Sequence, residues 1–420
     1  MLKKIISTFG IKVLIAVLNL VIVIVLSNYI GASGKGEASF IVISMAMVML
    51  FCNLLGGSTL IYLTPRYNIF LLFFLSNTWS VLTTIGAFAV LHFYGEVSIC
   101  MNAHICLLSL FNSLLATNLT ILLAKERVNL YNLLSLLQTM LTLIVVILLF
   151  EGKTPNILSY VYALYVAMGV CLIISMGYML PYLKKPSLHH LPKHAYEFLK
   201  LGFTNQSSQI IKFLSFRISY YLLMKYQDTS VLGVFSNGTS LIESLLLISN
   251  SFVAVLYPKI SNSINKKYAQ LLTVQMTKMS VAFCILALIP LSFLPSRFWL
   301  WLFGEGFKGV RQVILLLAPG IVFYNISMMI NHYFSGLGKY RVSTVAYSVG
   351  LIMMVIGSAL VIPNYGIREA AVLSSLSYIA TAVFYMIYFS KDAKINVNKL
   401  FPTLSDIPWF FKRLKGYFFN

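Results

Sequence analysis

Three ionisable side chains occupy stretches that are otherwise apolar. Lys212 and Arg217 lie within "IIKFLSFRISYY" (Ile210 to Tyr221), and Glu243 lies within "LGVFSNGTSLIESLLLISNSFVAVLY". A charge at membrane depth costs at least a few kcal/mol, so each must have a partner or a task. A guanidinium offers a planar fork of donors that suits phosphate oxygens, and an ammonium is a compact point charge. With about 100° per residue, Asn205, Ser208, Gln209, Lys212 and Ser219 share one helix face. Arg217 is turned about 120–140° from that stripe. The second stretch has a polar stripe of its own: Ser236, Asn237, Ser240, Glu243 and Asn250. Counted from the turn between the two stretches, Lys212 and Glu243 are both about 17 Å deep. They are expected to face each other, in position to pair. Arg217 is shallower, about 10 Å from the outer end, with no acid at its level. A Lys–Glu pair can be purely structural, and a long arginine stem can reach the interface. The third reading is a cation on a water-filled cavity, where it draws an anionic group. On that reading the candidate substrate-binding residues are Arg217, Lys212, Glu243, Asn205, Gln209 and Asn237.

The elements that hold these residues are long and apolar. The 420-residue chain is 59% hydrophobic and only 10% charged, and its mean hydropathy is +0.86. No soluble core buries that much apolar chain, which predicts an all-α polytopic membrane protein. The runs are continuous where barrel strands would alternate. The first apolar run lacks a cleavage pattern and is read as a retained helix. Twelve spans are expected: Phe9–Ile30, Ala38–Tyr62, Ile69–Tyr94, Ala103–Ala124, Leu130–Phe150, Asn156–Leu183, Thr204–Met224, Leu232–Leu256, Val274–Pro295, Val310–Tyr333, Val342–Ile362 and Ile367–Ser390. They predict a six-helix lobe at 1–183, a cytoplasmic linker at 184–203, a second six-helix lobe at 204–390 and a tail at 391–420.

The net charge of +20 is spread over short loops, which points to membrane topology and away from nucleic acid. One side collects Lys3, Lys4, Lys12, Arg66, Lys125, Arg127, Lys184, Lys185, Lys259, Lys266, Lys339, Arg341 and the basic tail. On the other side Lys35, Lys153, Lys225, Arg297, Lys308, Arg311 and Arg368 are nearly balanced by Glu37, Glu96, Glu151, Asp228, Glu305 and Glu369. Both termini are therefore expected in the cytoplasm, with the linker meeting anionic membrane lipid. The linker's "HHLPKH" lacks a thiolate or carboxylate ligand set, so no metal site is assigned. The five cysteines have no ligand spacing and read as buried thiols. "YIGASGKGEASF" and "YQDTSVLGVFSN" follow the first span of each half, and each half's second span ends in "TPR" or "YPK". This faint echo suggests an internal repeat.

Catalytic parts are missing. "GASGKG" and "SGLGKY" lack the Walker pattern, so no nucleotide cofactor is expected. The outer loops are short and their carboxylates single. A carrier is favoured over an enzyme. Asn19, Asn53, Asn112, Asn118, Gln138, Asn325 and Asn331 are other polar residues in spans, each read as contact between helices.

The order and spacing of several segments resembles the polysaccharide-exporter family, the O-antigen and capsule repeat-unit flippases of the multidrug/oligosaccharidyl-lipid/polysaccharide superfamily. "LSNYIGASGKGEASFIVISM" is similar to its first external turn. "FRISYYLLMKYQDTSVLGVFSNGTSLIESLLLISNSFVAVLYPKIS" is similar to its seventh and eighth helices. "FWLWLFGEGFKGVRQVILLLAPG", "NHYFSGLGKYRVSTVAYSVG" and "VIPNYGIREAAVLSSLSYI" resemble its last three. Many members carry Asp where this chain has Ser219, so the acid expected beside Arg217 is absent. The resemblance implies a MATE-type inverted V of two six-helix lobes in the bacterial cytoplasmic membrane. It implies an undecaprenyl-pyrophosphate-linked oligosaccharide as cargo, moved outward by alternating access beside a polysaccharide polymerase and other assembly proteins. Lys212 and Arg217 would offset the pyrophosphate charge. A coupling ion, H⁺ or Na⁺, is not specified. Three alternatives stay open: a cation-coupled drug exporter of the same superfamily, a peptidoglycan-precursor flippase, and a membrane polysaccharide polymerase.

Overall fold

The computed structural model describes residues 2–94, 98–152, 155–183, 191–261, 265–361 and 366–403. Among them the regular structure is all helical. The helices are α1 (Leu2–Cys52), α2 (Gly57–Leu63), α3 (Ile69–Tyr94), α4 (Ile99–Ala124), α5 (Val128–Gly152), α6 (Ile157–Met179), α7 (Leu191–Tyr226), α8 (Thr229–Ser244), α9 (Leu246–Ser261), α10 (Lys266–Phe293), α11 (Ser296–Phe303), α12 (Val310–Gly336), α13 (Tyr340–Val361) and α14 (Ile367–Ala393). Ten stretches among the described residues are long and apolar enough to cross a membrane. One of these, Gly10–Ile61, is 52 residues long and holds two of the expected spans. The helix α7 is long enough but too polar to be among the ten. The chain is a multi-pass membrane protein.

The chain divides into two compact units, Met1–Ile210 and Ile211–Asn420. The division falls inside α7, which begins at Leu191, within the expected linker. In the first unit, α1 turns at Gly31, whose φ of 65° and ψ of −171° are not helical. Ile22 and Leu26 on one arm and Ile41 and Met45 on the other belong to a single core with Ile105 and Leu108 of α4. On a straight helix Ile22 and Met45 would be about 34 Å apart, so the chain folds back at Gly31. The expected Gly-rich external loop is therefore a one-residue turn between helical arms. Lys35, expected as an outer-loop charge, is buried and donates from Nζ to Ser39 Oγ at 2.6 Å. The second expected span is interrupted after Cys52 by a short 3₁₀ turn, Asn53–Leu55.

Side-chain caps start several helices. Asn156 Oδ1 accepts from the Ser159 N–H at 2.9 Å to open α6, and Asn265 Oδ1 accepts from the Tyr268 N–H at 3.2 Å to open α10. Asn118 of α4 donates to Ser175 Oγ of α6 at 2.9 Å. Such bonds join helices where apolar contact alone gives little preference over lipid. Of the cysteines, Cys52, Cys106, Cys171 and Cys284 are buried, whereas Cys100 is exposed, contrary to the expectation.

The second unit is built around α12, which packs against α8, α9, α10 and α14. Its Gly320 lets α14 approach closely: a Cβ there would lie 2.6 Å from Ser375 Cα. The Gly320 N–H donates instead to Ser375 Oγ at 2.9 Å. Asn325 of α12 accepts from Ser280 of α10 at 2.7 Å. At one end of this unit Asp392 accepts from Lys266 Nζ at 3.1 Å, Lys339 Nζ at 3.0 Å and the Tyr333 hydroxyl at 2.8 Å. The eighth expected span falls on one continuous membrane-length stretch, Thr229–Val253, in which Leu245 (φ −62°, ψ −22°) keeps helical dihedrals between α8 and α9.

The backbone at Gly31 is one that residues with a Cβ rarely adopt. Gly31→Ala is expected to destabilise the protein by about 1–3 kcal/mol, seen as a lowered midpoint in thermal unfolding of the detergent-solubilised chain.

Candidate functional site

Glu243 lies within the membrane-length stretch Thr229–Val253, close to Leu245. A mostly buried carboxylate inside a span needs a cation. Arg217 of α7 supplies it. Its Nη1 donates to Glu243 Oε1 at 2.8 Å and its Nη2 to Oε2 at 2.6 Å. Two parallel bonds between fork and carboxylate are the strongest geometry such a pair has. The Tyr378 hydroxyl of α14 also donates to Glu243 Oε1, at 3.3 Å. The side chains of Arg217 and Glu243 are only 22% and 16% exposed.

Aromatic rings box the pair. The Arg217 guanidinium lies 5.3 Å from the Tyr220 ring centroid. Phe216 stacks on Tyr378 at 4.2 Å and meets Tyr324 edge-on at 4.6 Å. Partial burial beside Tyr220 and Tyr378 strengthens the pair's electrostatics over those of a solvated pair. Tyr220 and Tyr378 were not foreseen. The run "FRISYY" held the only signal for the first, and Tyr378 is too distant in sequence to associate with Glu243.

The expected Lys212–Glu243 facing is corrected. Lys212 and Arg217 are turned about 140° apart on α7, so one helix face can offer only one of them to α8. That face carries Arg217. Its longer side chain covers the height difference that had favoured Lys212. The expectation that Arg217 lacks an acid is likewise corrected. Ser219, expected on the Lys212 stripe, is fully buried against α14, where its hydroxyl bonds Ser374 Oγ at 2.8 Å. Ser215 makes a parallel contact with Ser377 Oγ at 2.9 Å. The acid thus comes from α8 and not from the Ser219 position.

Lys212 is partly buried, and its Nζ lies 5.8 Å from the centroid of Tyr347 on α13. Among the described residues it has no carboxylate partner. A ring face attracts a cation by about 0.5–2 kcal/mol, which does not cancel a full charge. Asn237 is fully buried within α8, and Gln209 is exposed on α7. The side chains of Asn205 and of His189, His190 and His194 in the "HHLPKH" tract lie outside the described residues. Asn331, read as contact between helices, accepts from Ser343 of α13 at 2.6 Å and from Tyr385 of α14 at 2.9 Å.

No protein-family model matches the chain, and no curated protein is matched by sequence. Solved structures do share its fold. The lipid II flippase MurJ in its inward closed conformation is similar with a TM-score of 0.74 at 14% identity, over 94% of this chain and 89% of that one. A multidrug-resistance MATE family transporter of the MOP superfamily, inward-facing, is similar with a TM-score of 0.71 at 13% identity, over 90% and 94%. A MOP superfamily transporter from Pyrococcus furiosus, described by the reverse polarity of its binding pocket, is similar with a TM-score of 0.65 at 14% identity, over 93% and 94%. The fold is that of MATE and MurJ transporters.

Removing one partner of a bidentate, ring-enclosed pair leaves an uncompensated charge. Arg217→Met or Glu243→Leu alone is expected to cost about 3–5 kcal/mol, and the combined variant less than either. Thermal unfolding of the four proteins measures this. Additive losses would mean that the two side chains are not coupled.

Proposed function

We propose that this chain is a flippase for an undecaprenyl-pyrophosphate-linked oligosaccharide, used in surface polysaccharide assembly. The observation that carries the reading is the bidentate Arg217–Glu243 pair, which leaves Lys212 as a cation without a carboxylate among the described residues. A partly buried ammonium with no carboxylate beside it favours an incoming anion. A pyrophosphate is the anion that a lipid-linked sugar carries. Lys212 therefore meets the cargo, and Arg217 builds the lobe. The neighbours with this fold are flippases and transporters, which fits a carrier working by alternating access. A polymerase would have to act on the exported units.

A second reading, a peptidoglycan-precursor flippase, draws on the fold likeness to MurJ. That cargo is also a pyrophosphate lipid, so Lys212 serves either. A cation-coupled drug exporter is less well supported. It needs an intramembrane acid to hold H⁺ or Na⁺, and Glu243 is already bonded by Arg217 and Tyr378.

The test is a strain lacking this protein, probed with an impermeant sugar-modifying reagent on intact spheroplasts. Single lipid-linked repeat units should accumulate where the reagent does not reach them. Lys212→Ala should reproduce that state at normal protein level, while Lys212→Arg keeps most export. Units that reach the outer face without polymerising would point to an assembly enzyme, and unchanged pools would point to drug export.

A further inference from the structure

The first unit holds a polar cavity of its own. It has a volume of about 310 Å³ and opens between α1, α5 and α6. That is within the lower range of small-molecule sites. On α5 it is lined by Ser135, Gln138, Thr139 and Thr142, which recur at helical spacing on one face. Asn19 of α1 and Tyr160 of α6 complete its polar wall. Counted from Val128, these α5 residues lie about 10–21 Å along a helix about 37 Å long. The polar stripe is thus in the middle of a membrane-length helix, where lipid-facing amides would be costly.

The hydrogen bonds divide the wall into two kinds of group. The hydroxyls of Ser135, Thr139 and Thr142 donate to the carbonyls of Tyr131, Ser135 and Gln138 at 2.8, 3.2 and 2.9 Å. Their remaining lone pairs can accept. The carboxamides of Asn19 and Gln138 have no partner among the described residues, and each can both donate and accept. No lining residue carries a charge, so nothing here would attract a pyrophosphate or balance a bare cation. Hydroxyls that each donate and accept, carried on a ring with apolar faces, match both the amides and the Ile15, Ile22 and Leu164 flanks.

We infer that this cavity is a subsite for the uncharged sugar of the cargo, with Gln138 and Asn19 bonding its hydroxyls. The inference rests on the proposed cargo as the source of that sugar. The test uses the full-length protein in nanodiscs and two probes: undecaprenyl pyrophosphate, and the same lipid bearing a tetrasaccharide. The wild type should bind the sugar-bearing lipid more tightly. Gln138→Leu and Asn19→Leu should each weaken that lipid by about tenfold and leave the sugar-free lipid unchanged. Thr139→Val, which removes one acceptor without altering shape, should weaken it by a smaller factor and guards against misfolding of the amide variants. Equal affinity of the wild type for both lipids, or variants that shift both lipids alike or neither, would overturn the subsite. A wild type that binds neither lipid would overturn the cargo itself, and the subsite with it.

Discussion

The bidentate bond between Arg217 and Glu243 decides what every other charge in the second unit can do. Glu243 is mostly buried inside a membrane-length stretch, where its charge is poorly tolerated. Arg217 is mostly buried on α7, where its charge is equally unwelcome. Each removes the other's penalty, and Tyr220, Tyr378 and Phe216 close the space around them. Once that acid is taken, Lys212 has none among the described residues. One pairing therefore separates a paired cation from an unpaired one, and the proposed function rests on that difference.

Both units rest on the same packing chemistry. Serines and threonines carry short bonds between helices, as at Ser215–Ser377, Ser219–Ser374 and Ser280–Asn325. Gly320 brings α12 and α14 close enough for a backbone N–H to bond a side chain on the neighbouring helix. These contacts hold helices together inside lipid, where the hydrophobic effect does not distinguish a neighbour from an acyl chain. Gln138 and Asn19 line a cavity in the first unit instead of bonding a neighbouring helix, and among the described residues Lys212 stands without an acid in the second.

The helical class and most spans were legible in the sequence because hydrocarbon thickness demands long apolar runs. So was the exceptional polarity of α7, which keeps it out of the runs identified by composition alone. The breaks were not legible. Gly31 turns the chain within one residue, and the short 3₁₀ turn Asn53–Leu55 interrupts the second expected span. The partner of Glu243 was misjudged because depth was counted and azimuth about α7 was not. Lys212 matched the height of Glu243, but Arg217 matched its direction, and a long side chain corrects height more readily than direction. Gln138 and Asn19 were seen as contact between helices, because a sequence does not show whether a polar face meets a neighbour or a cavity.

The central claim is that Lys212, and not Arg217, meets the anionic headgroup. The most direct measurement is equilibrium binding of undecaprenyl pyrophosphate to purified protein in nanodiscs, comparing Lys212→Ala with the combined Arg217→Met/Glu243→Leu variant. Binding lost in the first and kept in the second is the predicted result. Binding kept in Lys212→Ala and lost in the combined variant would contradict it, and would return the headgroup site to the ion pair.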